Sequence, residues 1–215
     1  MNSSRRAVLA GMGAAGVVGA TGCLGDDTPD VPEYDCDRTE PEEPDHEFRP
    51  AIGDPDSEVL VQTFEDFTCG GCATFKLEEF PEIREAHVDT GEVRYEHWDF
   101  PIPVDEDWAV PVASAARGVG AREGSEAFFE FTATVYEFHG SYSHDAVGFA
   151  AEEAGADPCA AIADAEFATY EAPIMADREE GEARGLEATP TVYVDGDPVD
   201  PSAEAVSEAI EAALS

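Results

Sequence analysis

Positive charge is scarce in this 215-residue chain: eleven Lys+Arg stand against 49 Asp+Glu, a formal net charge of −38, and Lys76 is the single lysine. A protein that binds nucleic acid by neutralising phosphates needs a basic face, so that class is excluded. Also missing are a phosphate-cradling glycine loop, a Ser-His-Asp arrangement, an internal repeat and a second C-x-x-C pair. Apolar residues are not lacking: they make up 43 %, with 12 Phe and 6 Tyr, enough for the core of one domain and far from a disordered composition. Charges of one sign repel at low salt, whereas at molar salt the Debye length falls to about 3 Å and separated surface charges are screened. The acidity therefore implies a halophilic setting, with high salt on at least one side of the host membrane.

Residues 1–22 read as a targeting segment. Arg5 and Arg6 precede the charge-free run Ala7 to Ala20, which is short for a membrane span of about 20 residues, and small residues then lead to Gly22-Cys23. The arginine pair resembles a twin-arginine signal, and Gly22-Cys23 resembles the lipobox of lipoproteins, which implies acylation of Cys23 and a membrane lipid anchor. Residues 23–50 mix Pro29, Pro32, Pro41, Pro44 and Pro50 with many acids, a composition expected to stay extended and solvated as a tether.

The folded domain is expected over 51–215. Val59 to Phe64 is a β-rich apolar run that suits a buried central strand, and it leads directly into Cys69-Gly70-Gly71-Cys72. Ala73, Phe75, Leu77, Phe80 and Ile83 then recur at helical spacing, with Pro81 expected to kink the helix. Glu92 to Trp98 alternates like a second strand, which makes a βαβ unit with the cysteines at its turn. Helix formers broken by glycines fill about 105–186. Thr191 to Val194 reads as a strand closed by Asp195-Gly196, Val199 starts a return strand, and Ser202 caps a terminal helix. The order is β-α-β, helices, β-β-α.

A C-x-x-C at the start of a helix reads as a redox pair, because unpaired helix N–H groups stabilise a thiolate on the first cysteine. Cys69 is then the nucleophile, and Cys72, one turn deeper, can close a reversible disulfide. Half of a zinc site, completed by His87 and His97, and a static bridge are the competing readings. Cys36 and Cys159 remain as a possible structural disulfide. Gly185 to Thr191 ends a helix and opens a strand at Thr189-Pro190.

With these motifs placed, residues from about Phe48 to Leu214 resemble the DsbA-like family of thioredoxin-fold oxidoreductases. The resemblance rests on Phe64-Glu65-Asp66-Phe67-Thr68-Cys69-Gly70-Gly71-Cys72, on Trp98-Asp99-Phe100-Pro101 and on Thr189-Pro190-Thr191-Val192-Tyr193-Val194-Asp195-Gly196. It implies an α/β thioredoxin fold with a helical insertion between the βαβ and ββα units. A cis proline at Pro190 and the backbone at Thr189 would meet the substrate chain. It further implies an extracytoplasmic enzyme that forms or exchanges disulfides in cysteine-containing exported proteins, without a cofactor or metal, and that a membrane redox partner reoxidises. A reductase or isomerase, or a non-catalytic lipoprotein using the same scaffold for binding, are the rival functions.

The chain departs from that family in two ways. Gly70-Gly71 stands where relatives more often carry proline, histidine or an aromatic, which leaves the redox potential open. Thr63 stands six residues before Cys69, where relatives often have a buried acid; Glu65 or Asp66 could serve instead, although two solvated acids is the default for such types. Lys76 is expected on the surface beside Glu78 or Glu79, and His46, His139 and His144, with the stripe Phe128, Phe129, Phe131, Tyr136 and Phe138, are expected to be surface and core. The charge reading carries a direct test. Dilution from molar to tens of millimolar salt should melt the fold, followed by circular dichroism, and unchanged melting would remove the halophilic inference.

Overall fold

The computed structural model describes residues 31–42, 44–102 and 104–215. The expected targeting segment and Cys23 lie outside the described residues. A five-stranded mixed sheet forms the centre, in the order β1-β3-β2-β4-β5. Strand β2 (Val59–Glu65) is its axis, almost wholly buried, as its continuous apolar run requires. Strand β3 (Val93–Asp99) pairs with it in parallel, from Val59 opposite Val93 to Glu65 opposite Asp99. On the other side β4 (Thr191–Val194) runs antiparallel, with Phe64 opposite Thr191, and β5 (Asp197–Val199) closes a hairpin on it. Asp195 and Gly196 both have positive φ at that turn, the backbone an Asp-Gly hairpin needs. Strand β1 (Ala51–Gly53) pairs with β3. It was not foreseen, because three residues carry no readable alternation.

Alternation along the strands assigns the two faces. Phe64, Trp98 and Tyr193 share one face, over which α7 (Glu171–Ala183) lies with Arg184 at its end. Thr63, Glu65, Tyr95 and His97 share the other, beneath a long helical run. That run comprises α1 (Gly70–Thr74), a π turn (Phe75–Glu79), α2 (Phe80–Ile83) and a second π turn (Arg84–Val88). The expected interruption at Pro81 takes this form. The π turn hands the Phe80 N–H to the Phe75 carbonyl, so Pro81 falls in the first turn of α2, where its missing N–H is harmless.

The insertion is α3 (Ala109–Glu123), α4 (Ser125–Tyr136), α5 (His144–Glu153), α6 (Pro158–Phe167) and α7. The expected aromatic stripe on α4 and just beyond it is core: Phe128, Phe129, Phe131, Tyr136 and Phe138 are all buried. Helix α8 (Ala203–Ala213), capped by Ser202 as expected, buries Val206 and Ile210. Among the described residues, no helix is long and apolar enough to cross a membrane.

Residues 31–42 and 44–50 form no helix or strand, as their prolines dictate, yet they do not lie free in solvent. Tyr34 donates its N–H to Asp145, Arg49 forks onto Asp177 with both contacts at 2.6 Å, and Phe48 packs so closely on α3 that a Cβ on Gly120 would lie 2.3 Å from its ring. Cys36 and Cys159 are joined in a disulfide, with Cα atoms 5.4 Å apart. The segment is a strap across the helical insertion, because aromatic and arginine side chains outweigh its extended backbone preference. Since the bridge closes a loop with a sequence separation of 123, Cys36→Ser should cost about 2–5 kcal/mol of stability, read by urea unfolding with and without reductant.

Candidate active site

Cys69 and Cys72 enter the site from the end of β2. The central strand ends at Glu65, three residues (Asp66 to Thr68) follow, and Cys69 occupies the N-cap position of α1 in extended backbone. It is half-buried, whereas Cys72, on the inward side of the first turn, has no exposed surface; both are free thiols. The Cys69 Sγ lies 3.3 Å from the carbonyl oxygen of Thr189, and the Thr189–Pro190 peptide bond is cis. A Cβ on Gly71 would sit 3.1 Å from Pro190 Cδ. The Gly-Gly dipeptide thus lets the proline turn close directly over the pair. The four residues taken from the sequence as one site, Cys69, Cys72, Thr189 and Pro190, are together in space.

The two thiols are pushed apart in acidity. The Cys69 thiol is drawn down to about 5, first by the hydrogen bond from the Cys72 thiol, then by the side chain of Thr189 and by the N–H groups of Cys72 and Gly71, which outweigh partial burial. Burial, its hydrogen bond to Cys69 and the charge of Glu65 push Cys72 strongly upward. One sulfur is therefore a thiolate at neutral pH and the other a thiol donor.

Behind the pair the expectation for the acids fails. Glu65 is 1 % exposed and Asp66 2 %, so neither is a solvated surface charge. Burial favours the neutral form of Glu65, but Lys76 at 3.1 Å and His97 at 3.4 Å overcome it and hold the carboxyl at about 2. Lys76 is equally misplaced by the surface reading. It follows Cys72 by four residues, so it shares the buried face of the helical run, and its ammonium sits 4.3 Å over the Phe80 ring, away from Glu78 and Glu79. Burial raises the pKa of Asp66 despite its bonds to Thr68 and Ile102, and its backbone N–H donates to Cys72 Sγ at 3.4 Å. The ionic chain continues from His97 to Asp99 at 3.1 Å, from Asp99 to Arg117 at 2.7 Å, and from Arg117 to Asp177, where Arg49 of the strap ends it. His97 is thus engaged with carboxylates, and His87 pairs with Glu92 at 2.7 Å. Neither completes a zinc site at the cysteines.

Three side chains that the sequence did not place at the site also reach it. Tyr136, Tyr142 and His139 come from the end of α4 and the loop after it, and each meets the segment 66–68 just ahead of Cys69. No local pattern points to them, since about 70 residues separate them from the cysteines.

Residues 46–212 match the thioredoxin family. The chain belongs to that family. This thioredoxin-family protein is similar to the disulfide bond formation protein D of Bacillus subtilis strain 168, at 22 % identity over 68 % of this chain and 67 % of the relative. It is also similar to the probable disulfide bond formation protein D of Bacillus anthracis, at 23 % identity over 76 % of this chain and 77 % of the relative. Its fold matches that of oxidised BdbD from Bacillus subtilis, with a TM-score of 0.70 at 22 % identity over 80 % of this chain and 95 % of that one. It likewise matches Chlamydia trachomatis DsbA, with a TM-score of 0.69 at 21 % identity over 81 % and 97 %.

The split acidity predicts a measurable titration. Absorbance of the thiolate near 240 nm, or the pH dependence of alkylation, should show Cys69 ionising with a midpoint near 5. Cys72→Ala removes the leading donor, so the midpoint should climb by about one to two units. Because the Cys69 pKa in the fold lies below that of an unfolded thiol, the reduced fold gains stability as pH rises from about 5 toward the ordinary thiol range, and has lost that part once pH falls through about 5.

Proposed function

We propose that this thiol–disulfide oxidoreductase works chiefly as an oxidase of exported proteins, with Cys69 as the exchanging sulfur and Cys72 as its partner. In the oxidised state a thiolate of the client attacks Cys69 Sγ, the Cys69–Cys72 bond breaks, and a mixed disulfide forms while Cys72 leaves and takes up a proton. A second client thiolate then attacks the client's own sulfur in that bond and expels Cys69 as a thiolate. The client has gained a disulfide, and the protein has gained two electrons and is a dithiol. The thioredoxin-family membership and the disulfide bond formation proteins among the relatives support the reaction class.

The observation that carries the direction is the place of half-buried Cys69 at the N-cap of α1 beside the Cys72 thiol, surroundings that draw its pKa down to about 5. Stabilising the thiolate stabilises the reduced protein relative to its disulfide, which makes the disulfide the stronger oxidant. Thr189 and Pro190 form the substrate-facing edge: the carbonyl of Thr189 points at the reactive sulfur, and the cis proline offers no N–H to compete for an extended client backbone.

The same reading extends to export. Residues 1–22 serve as a twin-arginine signal, Cys23 carries the lipid, and the acidic proline-rich stretch links the anchor to the strapped domain. The protein then stands on the outer face of the membrane in a salt-rich medium, and a membrane redox partner of the kind that recharges such oxidases accepts its electrons. A paired Cys36–Cys159 bridge suits an oxidising compartment.

Stopped-flow oxidation of a reduced, unfolded two-cysteine polypeptide by the oxidised protein tests the proposal. Wild type should transfer one disulfide per molecule and Cys69→Ser none, while Cys72→Ser, challenged with an oxidised client, should accumulate a mixed disulfide visible by mass. A reduction potential at or below that of thioredoxin, about −270 mV, would reverse the assigned direction.

A further inference from the structure

The segment between β2 and Cys69 is held by a feature that neither the cysteine motif nor the proline turn supplies. Three consecutive carbonyls face side-chain donors from the helical insertion: Tyr136 Oη reaches the Asp66 oxygen at 3.4 Å, Tyr142 Oη the Phe67 oxygen at 2.5 Å, and His139 Nε2 the Thr68 oxygen at 3.0 Å. A carbonyl only accepts, so Nε2 of His139 carries the hydrogen. The imidazole also covers Gly70: its Cε1 lies 3.7 Å from where a Cβ on that glycine would stand, and it is the neighbour nearest that point from outside the adjoining residues and the helix's own backbone. It therefore occupies the side of the dipeptide that Gly70 leaves bare, while Pro190 occupies the side of Gly71.

We propose that His139 is a positioning residue of the exchange site, a donor supplied from the helical insertion that locks the Thr68–Cys69 peptide and sets the acidity of Cys69. The proposal rests on Cys69 being the exchanging sulfur. The peptide plane is gripped at both ends, since the Cys69 N–H donates to the Asp66 carbonyl at 3.0 Å while His139 holds the Thr68 oxygen. Gripped in this way, Cys69 keeps the extended N-cap backbone at the mouth of α1 that holds its sulfur 3.3 Å from the Thr189 oxygen. The donor also draws negative charge off a carbonyl oxygen that immediately precedes the thiolate. A Gly-Gly dipeptide has little stiffness of its own, so the orientation must come from outside the motif. Helix α4 can provide it because its buried aromatic face, from Phe128 to Tyr136, packs on the helical run at Phe80 and on Phe67 ahead of Cys69.

Thiolate titration of the full chain in high salt tests this, with wild type, His139→Ala, His139→Phe and His139→Gln compared and each variant's melting curve recorded. Ala and Phe both lack an N–H, and Phe still fills the space over Gly70. Both should raise the Cys69 midpoint by about 0.5–1 pH unit, the scale of one ordinary hydrogen bond, and make the reduction potential more negative. Gln keeps a donor of similar reach and should stay near wild type. Wild-type midpoints in Ala and Phe would overturn the proposal, as would a Gln variant displaced as far as Ala. A wild-type chain with no thiolate titrating below neutral pH would remove the exchange reading itself, and this one with it.

Discussion

The antiparallel register of β4 on β2 places Phe64 opposite Thr191, and this pairing decides the chemistry. It brings the Thr189–Pro190 turn, 120 residues away along the chain, to within 3.3 Å of the Cys69 sulfur. A slip of one residue would turn Val192 and Val194 out of the core and carry the proline off the cysteine pair. The cost of that slip is therefore both lost burial and lost reactivity. Everything else at the site adds to this geometry: glycines permit the close approach, helix N–H groups stabilise the thiolate, and donors from the insertion hold the segment that leads into it.

A second constraint lies under the pair. In a chain so short of cations, Lys76 and Arg117 are both buried, each against carboxylates. Such charges are expensive to remove from water, and losing one partner leaves the other stranded. The consequence is an alternating chain from Glu65 beneath Cys72, through His97, Asp99 and Arg117, to Asp177 and the strap residue Arg49. The strap is thus tied to the sheet ionically as well as by the Cys36–Cys159 bridge to the insertion.

The parts legible in the sequence were those with a strong local period or a covalent motif. The run Val59 to Phe64, the alternation of Glu92 to Trp98, the Asp-Gly turn and the Ser202 cap all emerged as read, because each is dictated by contacts a few residues apart. The acids and Lys76 were misjudged for the opposite reason. Their type says surface, while their spacing says core: Glu65 lies two residues beyond Thr63 on the same strand face, and Lys76 lies four beyond Cys72 on the same helix face. Spacing prevailed because each buried charge found its partner across the sheet-helix boundary. The strap illustrates the same limit, since its prolines exclude regular structure but do not exclude docking.

By itself the sequence determined the order of elements from β2 onward, the placement of two cysteines at a helix mouth and the presence of a proline turn capable of meeting them, since these follow from local backbone preferences. Only the tertiary structure decided that the Thr189 carbonyl lies against the Cys69 sulfur, where the buried counter-charges lie, and that His139 from the insertion faces the Thr68 carbonyl. Those are through-space relations between segments far apart in the chain, and they exist only once the sheet register and the packing of α4 have closed the distances.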